Sequence, residues 1–499
     1  MLSKSKYCYF VQCPKNLWLH TYKPHEADEN LTLQERMDTG NEIGDLAMQL
    51  FGDFIEVTAY TDNGKIDISA MISKTNQLIL EKYPVICEAS FSYNGNYCAV
   101  DILKREGNGY AIYEVKSSTH ANHIYTVDIA YQKYVLENCG INVTGTYLVC
   151  INNDYLFDGS LRLDEFFKII DLSTEVAKEY PQVEGNILAA NDIINDPIEP
   201  IYNLSTGCHS PYDCAFWKYC TAHLPSPSVF DVYGIGFSFA KKLDYYNKGI
   251  YSFEALSADK AIMKNHIRSL QITHEIKSLD AYIDKEGIRE FLKELTFPLY
   301  FLDFETMQLV IPQFVGTSPY EQIPFQYSLH YLETPNGELK HTEFLGISGE
   351  DPRRAIAEQL CRDIPKDVCV LAYNKSFECS RIHKLAEEIP DLAEHLLNIE
   401  KNIKDLIIPF RTGNYYTRAM AGSFSIKSVL PALYPDDPSL DYHNLEGVHN
   451  GSEAMELFPR IKYLPPEEQD TARANLLKYC ELDTYAMVKV WEALVKVSD

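Results

Sequence analysis

The sequence predicts a multi-domain protein of the α/β (α+β) class, and three observations lead to this prediction. The chain has 499 residues, which at roughly 100 to 200 residues per domain suits two or three domains with separate cores. Hydrophobic residues make up 46% and charged residues 23% of the chain, as in folded proteins. Strand and helical patterns are mixed along the chain, with no repeat of fixed period. We therefore expect globular domains rather than a solenoid or a disordered chain.

Changes in patterning divide the chain into three segments. Residues 1–224 mix helical and strand patterns and end in a cysteine-rich stretch near LPSPS, whose prolines and serines indicate a boundary. Residues 225–296 predict a helical connector. The apolar run FPLYFLDFETMQLVI then predicts the buried central strand of a last domain, residues 297–499.

Composition and charge exclude several classes of protein. No stretch of about 18 apolar residues and no signal-peptide core is present, so we expect a cytoplasmic protein without a membrane partner. A net charge of -26 argues against nucleic-acid binding by a uniformly basic surface, although a local basic groove remains compatible with it. Thirteen cysteines in a chain of this length suit free thiols and metal ligands better than a disulfide framework.

Two acidic residues lie on the predicted central strand of the last domain. Asp303 and Glu305 in LYFLDFET are two residues apart, so their carboxylates point to the same face. An acidic pair on an apolar strand is costly unless a positive partner neutralises it, and the two divalent ions of a two-metal nuclease would do so. A solvated pair at a strand end is the alternative.

Two later segments extend this pattern. DVCVLAYNKSFECSRI predicts a strand, a turn and a helix start that carries Asn374, Phe377 and Glu378, and LLKYCELDTYAMVKVWEAL predicts a helix with Tyr479 and Asp483 on one face. The order DFE, N-x-x-F-(D/E), Y-x-x-x-D resembles the DnaQ-like DEDD 3′-5′ exonucleases of the tyrosine subtype, over residues 297–499.

The resemblance implies an RNase H-like domain with a mixed central sheet and a Mg²⁺- or Mn²⁺-dependent site. The residues that would hold the metals are Asp303, Glu305, Glu378 and Asp483, and Tyr479 would orient or activate the attacking water. Glu378 departs from the family, which usually has aspartate there, and the extra methylene changes the reach of the ligand. Asp405 in KDLIIPF is an additional candidate acid.

A second set of acids lies in the first segment. NYCAVDILKREGNGYAIYEVKSS predicts a β-hairpin that turns at residues 107–109, with Asp101 on one strand and Glu114 and Lys116 on the other. The two carboxylates would hold Mg²⁺ or Mn²⁺, and the lysine would position the nucleophile. A solvated strand face with a cross-strand ion pair is the alternative.

This set, followed by DIAYQKY, resembles the RecB-like branch of the PD-(D/E)XK nucleases, which have a restriction-endonuclease-like fold. Asp101, Glu114, Lys116 and Gln132 match its catalytic positions, and Asp101 and Glu114 its metal ligands. Glu88 in CEASF is the candidate supporting metal ligand, with Glu42 in GNEIGDLA as a further acid. Leu136 departs from the branch, which often has tyrosine four residues after the glutamine.

Four cysteines form a third candidate site. GCHSPYDCAFWKYC places Cys208, Cys214 and Cys220 with five residues between neighbours, and Cys13 lies near the start of the chain. One early and three late cysteines resemble the ligands of iron-sulfur RecB-like nucleases and imply a [4Fe-4S] cluster. A structural zinc and metal-free thiols remain alternatives, and Cys8 is the reserve for the early ligand.

The connector carries a weaker motif. FDVYGIGFSFAKKLDYYNKGIYSFEAL resembles a helix-hairpin-helix element, with a glycine turn at 234–236 between two helices and a further turn at Gly249. The turn would offer backbone N–H groups to a phosphate, with Lys241 and Lys242 assisting, or would only join two packed helices.

The three sites together predict a metal-dependent nuclease that hydrolyses phosphodiester bonds of nucleic acid, with DNA preferred to RNA. The C-terminal site would be the 3′-5′ exonuclease, and the N-terminal site a second nuclease. The alternatives are one live site with the other retained as a grip, and a nucleic-acid-binding scaffold that does not cut.

Overall fold

The computed structural model describes residues 1–28 and 32–499, and it describes side chains everywhere except in 29–39. The chain folds into two compact units. The first unit contains Met1–His223 and Val310–Tyr320, and the second contains Leu224–Leu309 and Glu321–Asp499. The expected multi-domain α/β class with mixed sheets is confirmed. The segment expected as a separate connector groups with the second unit.

The first unit is built on a seven-stranded sheet in the order β2-β3-β4-β5-β6-β7, with β1 parallel to β4. Its strands are β1 (Leu2–Ser3), β2 (Ile55–Glu56), β3 (Val85–Tyr93), β4 (Asn96–Glu106), β5 (Gly109–Lys116), β6 (Val143–Ile151) and β7 (Phe167–Asp171). The predicted hairpin is confirmed: β4 and β5 pair antiparallel around the turn, and Ile102 lies opposite Tyr113. β6 then returns parallel to β5, so β5 lies inside the sheet.

Eight helices flank this sheet in the described part of the first unit. They are α1 (Lys4–Gln12), α2 (Pro14–Tyr22), α3 (Thr32–Ala47), α4 (Ile68–Leu80), α5 (His123–Asn138), α6 (Leu163–Phe166), α7 (Ser173–Asn195) and α8 (Trp217–Thr221). The apolar residues of β3, β4 and β5 pack with those of α5 and α7 into one core, which includes the fully buried Leu136. Leu136, where the expected resemblance would have a tyrosine, is therefore part of the hydrophobic core.

The second unit contains a five-stranded sheet in the order β11-β10-β9-β12-β13 and a separate two-stranded pair, β14-β8. The strands are β8 (Tyr282–Ile283), β9 (Leu299–Gln308), β10 (Gln322–Leu332), β11 (Lys340–Leu345), β12 (Cys369–Ala372), β13 (Ile403–Asp405) and β14 (Tyr415–Tyr416). The prediction of a buried central strand is confirmed by β9, which is antiparallel to β10 and parallel to β12. The sheet is therefore mixed.

Twelve helices complete the described part of the second unit. They are α9 (Phe239–Asn247), α10 (Phe253–Leu256), α11 (Lys260–Met263), α12 (His266–Lys277), α13 (Lys285–Lys293), α14 (Arg353–Asp363), α15 (Ser376–Glu388), α16 (Ala393–Lys401), α17 (Ile408–Arg411), α18 (Ile426–Leu433), α19 (Gly451–Arg460) and α20 (Pro466–Ser498). The long helix α20 lies on the sheet, where the buried Gln326 of β10 donates to the carbonyl of Leu476 at 2.8 Å.

The glycine-turn segment differs from the expected pair of helices. The first expected helix is only a 3₁₀ turn, Val229–Asp231, closed by a capping box between Ser228 and Asp231. The short stretch between the LPSPS prolines and the glycine turn leaves no room for a longer helix. Lys242 donates to the carbonyl of Phe230 at 2.7 Å and Lys241 to that of Gly236 at 3.3 Å, so both ammonium groups bind the segment itself.

The chain from Val310 to Tyr320 leaves the second unit and packs in the first. Gly316 N–H donates to the carbonyl of Phe157 at 2.8 Å, and Phe157 N–H donates to that of Thr317 at 3.0 Å. This segment without regular secondary structure, between β9 and β10, thus packs against a core cluster of the first unit. Among the residues described, none of the helices combines the length and the apolar character that a membrane crossing requires.

Candidate functional site

The C-terminal carboxylate cluster consists of Asp303, Glu305, Glu378 and Asp483. β9 carries the first two on one face, and α20 brings Asp483 close to Asp303 although the two are distant in sequence. An oxygen of Asp303, an oxygen of Glu305 and the Sγ atom of Cys480 lie within 4.8 Å of one another. Burial and the neighbouring Asp483 raise the pKa of Asp303 and of Glu305 well above their usual range, and burial raises that of Asp483 to about 6. Because these carboxylates repel one another, a bound cation would stabilise their charged forms.

Glu378 is the acid at the first turn of α15, and it is 3% exposed. Its Oε2 atom is buried without a hydrogen-bond partner among the described residues. Burial raises its pKa to about 8. Glu378 is also among the neighbouring acids that, after burial, raise the pKa of Asp303, so the two carboxyls interact electrostatically. A buried carboxylate oxygen without a donor fits a metal-ligand role.

Asp405, the additional acid, has other partners. Its Oδ1 atom accepts from the backbone N–H of Asn374 at 2.8 Å and from that of Ile407 at 3.3 Å. Asn374 has a positive φ of 67° at the turn between β12 and α15, and Asp405 holds that turn in place. Asp405 therefore stabilises the turn at Asn374, which leads into the helix that carries Glu378. Its carboxylate is already engaged in these hydrogen bonds.

Tyr479 lies one helical turn before Asp483 and is 3% exposed. Two residues that the sequence did not single out accompany it. Tyr442 donates to Oδ1 of Asp483 at 2.7 Å, and the Lys427 ammonium lies 3.5 Å from the Tyr479 hydroxyl oxygen. Lys427 lowers the pKa of Asp303, Glu305 and Asp483 against the effect of burial. Neither Lys427 nor Tyr442 belongs to a local sequence motif. Only the folded structure shows that they lie beside Tyr479 and Asp483.

The N-terminal acid–lysine cluster contains Asp101, Glu114 and Lys116, as the hairpin predicts. The fully buried Glu114 accepts from the Lys116 ammonium at 2.6 Å, and Gln132 of α5 donates to its other oxygen at 2.7 Å. Asp101 accepts from the backbone N–H of Val115 at 2.7 Å. The two lysines beside Glu114 lower its pKa against the opposing effect of burial, whereas burial and Glu114 raise that of Asp101.

Lys4 and Asp128 belong to the same cluster and were not predicted. The ammonium of Lys4, on α1, lies 3.2 Å from Asp101 and 3.1 Å from Glu114, between the two carboxylates. Asp128 accepts from Lys116 at 3.3 Å and from Gln132 at 3.0 Å. Asp128 precedes Gln132 by four residues on α5, and that spacing could have identified it. No such signal exists for Lys4.

Glu88 lies on β3 beside this cluster, at a strained position. Its φ of 56° is left-handed, and the ladder between β3 and β4 pairs Cys87 with Ile102 and Ala89 with Val100 but omits Glu88 itself. Burial and the neighbouring Asp101 raise the pKa of Glu88 to about 7. Strain of this kind costs roughly 1–3 kcal/mol and concentrates at functional sites. Glu42 lies exposed on α3.

The cysteine site is the cavity lined by Cys13, Cys208, Cys214 and Cys220 together with Lys15 and Tyr202. Cys13 stands between α1 and α2, and Gln12 beside it donates to the carbonyl of Gly207 at 2.8 Å. Cys8, the reserve ligand, lies instead beside Asp128 and Lys116, since both affect its pKa. The structure thus brings together the four cysteines that the spacing singles out.

The spread of the four sulfurs bears on which group they suit. No three of the four Sγ atoms, all in the described residues, lie within 4.8 Å of one another. Thiolates bound to one zinc at about 2.3 Å in a tetrahedron stand only about 3.8 Å apart, whereas the ligands of a four-iron cluster surround a larger body. No three of these thiols therefore stand at the spacing of ligands to one zinc ion in this structure.

Comparison with known proteins finds similarity mainly to proteins without an assigned role. Residues 300–425 match a family described as a domain of unknown function, DUF2779, and this region includes Asp303, Glu305 and Glu378 but not Asp483. Over 282 residues the chain is 27% identical to an uncharacterized protein of Ureaplasma parvum serovar 3, covering 52% of this chain and 38% of that protein. The match thus spans less than half the length of the relative.

Proposed function

We propose that the protein is a metal-dependent nuclease whose C-terminal carboxylate cluster trims nucleic acid from the 3′ end. The observation that carries this proposal is the gathering of four carboxyls from β9, α15 and α20 in a buried place, with one oxygen of Glu378 unpartnered. Burying several carboxylates together destabilises the fold unless a bound cation neutralises their charge.

Asp303, Glu305, Glu378 and Asp483 would hold Mg²⁺ or Mn²⁺, which, when bound, supply an activated water and neutralise the charge of the phosphate. The Tyr479 hydroxyl, beside Lys427, would orient that water by hydrogen bonding. Tyr442 fixes the rotamer of Asp483 through its 2.7 Å hydrogen bond. The mixed five-stranded sheet, with β9 at its centre, supports an RNase H-like fold for this unit.

The N-terminal acid–lysine cluster is proposed as a second nuclease site of the PD-(D/E)XK type. Its hairpin, the helix α5 and the parallel strand β6 support that fold. Asp101 and Glu114, with Glu88 in support, would hold the metal, and Lys116 would face the scissile phosphate. Gln132 orients Glu114 through its 2.7 Å hydrogen bond. We propose DNA as the preferred substrate and a [4Fe-4S] cluster at the cysteine site.

The position of Lys4 supports a second candidate function. The protein would then be a nucleic-acid-binding scaffold whose N-terminal site is catalytically inactive. The Lys4 ammonium lies between Asp101 and Glu114, where it already offsets their charge. Digestion of end-labelled single- and double-stranded DNA and RNA with Mg²⁺ or Mn²⁺ separates the two functions. Stepwise shortening from the 3′ end supports the nuclease. Binding without any cleavage would leave the scaffold.

The Lys116→Ala substitution tests the N-terminal site by itself. In a protein that also carries Asp303→Asn, we expect Lys116→Ala to remove the remaining cleavage by about 10²-fold or more, because a charge poised at the reacting phosphate is lost. Metal binding should change little. Lys133→Ala, at a half-buried lysine of α5 that pairs with Glu137, is the matched control and should cleave as the parent does. Equal residual cleavage in all three proteins would remove Lys116 from the proposed site.

The Glu378→Gln substitution separates a functional carboxylate from a structural one. In protein freed of metal by a chelator, we expect a higher melting temperature, because the amide removes a carboxyl whose charged form is disfavoured by burial and by the neighbouring acids, at a cost of about 1–3 kcal/mol. Each kcal/mol corresponds to a rise of about 2–4 °C for a domain of this size. The same variant should lose trimming activity.

The control for this measurement is Glu394→Gln, whose side chain is 90% exposed and pairs only with Lys366 among the contacts described. Its melting temperature and activity should match those of the wild type. If Glu378→Gln melts at a lower temperature than the wild type in chelator, the carboxylate stabilises the fold and is not held ready for a cation.

A further inference from the structure

A second group of metal-ligand side chains lies on the sheet of the second unit, apart from the carboxylates of the proposed nuclease. His330 of β10 and His341 of β11 are directly opposite each other in the antiparallel register. Their rings lie 4.5 Å apart between centroids, and α20 places Glu481 beside them. One ligand atom of each of the three residues lies within 4.8 Å of the other two.

The hydrogen bonds around the two imidazoles assign their protons. Nδ1 of His330 lies 2.8 Å from the Thr484 hydroxyl, and that hydroxyl donates to the carbonyl of Glu481 at 3.1 Å. The Thr484 oxygen is therefore the acceptor and Nδ1 of His330 the donor. Nε2 of His330 is then left with its lone pair.

The same argument applies to His341. Its Nε2 atom lies 2.9 Å from the Ser328 hydroxyl, which in turn lies 2.6 Å from Thr484. Because the Thr484 hydrogen is already given to a carbonyl, Ser328 donates to Thr484 and accepts from His341. Nδ1 of His341, 4.0 Å from Oε1 of Glu481, keeps its lone pair. Each imidazole thus keeps one unprotonated nitrogen that is able to bind a metal ion.

We propose that His330, His341 and Glu481 form a site for a transition-metal ion of the zinc type. Two neutral imidazoles and one carboxylate are a donor set that suits Zn²⁺, whereas Mg²⁺ prefers oxygen ligands alone. Ser328 and Thr484 fix the ring orientations as outer-shell partners do at metal sites. We name these three ligands the histidine site.

Burial and exposure within the histidine site suit an ion that enters from solvent. His330 is 5% exposed, whereas the side chain of Glu481 is 51% exposed. Burial favours the neutral form of an imidazole, which is the form that binds metal. The exposed Glu481 side chain has the freedom to close onto the ion, since its carboxylate has no position fixed by packing. A bound ion would clamp α20 to β10 and β11.

The test measures Zn²⁺ bound to the full-length protein by competition with a chromophoric chelator, after removal of loosely bound metal. We expect wild type to bind one equivalent more than His341→Gln and than Glu481→Gln, or those variants to bind that equivalent about 10-fold more weakly or worse. Excess Mg²⁺ should not displace it. Zinc taken up elsewhere, including at the cysteines, is common to all the proteins and cancels in the difference.

The matched control is His383→Gln, because His383 also lies near two glutamates, Glu387 and Glu400, but is not part of a three-ligand group. It should bind zinc as the wild type does. If His341→Gln fails to fold, judged by circular dichroism, the exposed Glu481→Gln decides alone. Equal zinc binding by wild type and Glu481→Gln overturns the site. This outcome leaves the proposed nuclease untouched, because the assay contains no nucleic acid.

Discussion

The Asp303→Asn variant is expected to lose 3′-end trimming by at least about 10²-fold, the scale on which removal of one poised charge acts in an enzyme. Burial, and after it Asp483, Glu378 and Glu305, raise the pKa of Asp303, so Asp303 interacts with each of the other acids of the C-terminal carboxylate cluster. Asparagine keeps the shape but contributes no negative charge to hold a divalent ion. The measurement is the shortening of a 5′-labelled oligonucleotide under saturating Mg²⁺ or Mn²⁺.

A matched variant shows whether charge alone explains the loss. Asp391→Asn removes an exposed carboxylate of the same unit, paired with Arg354, and should trim at the wild-type rate. Trimming by Asp303→Asn at the wild-type rate would show that the cluster is not the exonuclease site. Loss of trimming without loss of metal binding would assign Asp303 to substrate positioning instead.

The Cys214→Ser variant is expected to lose the colour of the anaerobically purified protein and much of the stability of the first unit. A link between Cys13 and the three late cysteines closes a loop of about 200 residues, which restricts the unfolded chain by roughly 5 kcal/mol. Absorbance near about 400 nm, iron and sulfide content, and thermal unfolding measure the two effects. Trimming activity should persist, since its proposed ligands all lie in the second unit.

Cys139→Ser provides the control for this experiment, because Cys139 is an exposed cysteine of the same unit. It should keep both colour and stability. Zinc in place of iron in the anaerobic wild type would turn the cysteine site into a structural zinc site. Absence of any metal would make its cysteines ordinary thiols, and Cys214→Ser would then unfold like the control.

Local patterns predicted the elements that carry most of the candidate residues. The hairpin of β4 and β5 followed from alternation around a glycine-containing turn, and β9 followed from an apolar run too continuous for a one-sided strand. Tyr479 and Asp483 followed from helical spacing on α20. In each case the signal lies within about ten residues, where periodicity alone decides which face a side chain occupies.

The residues that were missed depend on contacts between distant parts of the chain. Lys4 lies beside Glu114 although 110 residues separate them, and Tyr442 bonds to Asp483 across 41 residues. A lone lysine or tyrosine carries no periodic signal, so packing alone identifies it. The prediction of a first helix before the glycine turn was wrong for a local reason. The stretch of chain available there is too short for a helix and forms only a 3₁₀ turn.

The helix α1 spans nine residues, from Lys4 to Gln12, with Cys13 directly after it. At about 1.5 Å per residue it is a rod roughly 14 Å long. Its first residue contacts Asp101 and Glu114, and its far end meets the cavity of the four cysteines. A displacement of one end of this short, rigid helix therefore displaces its other end. A rearrangement at the cysteine site that shifts α1 along its axis would also move the Lys4 ammonium relative to Asp101 and Glu114.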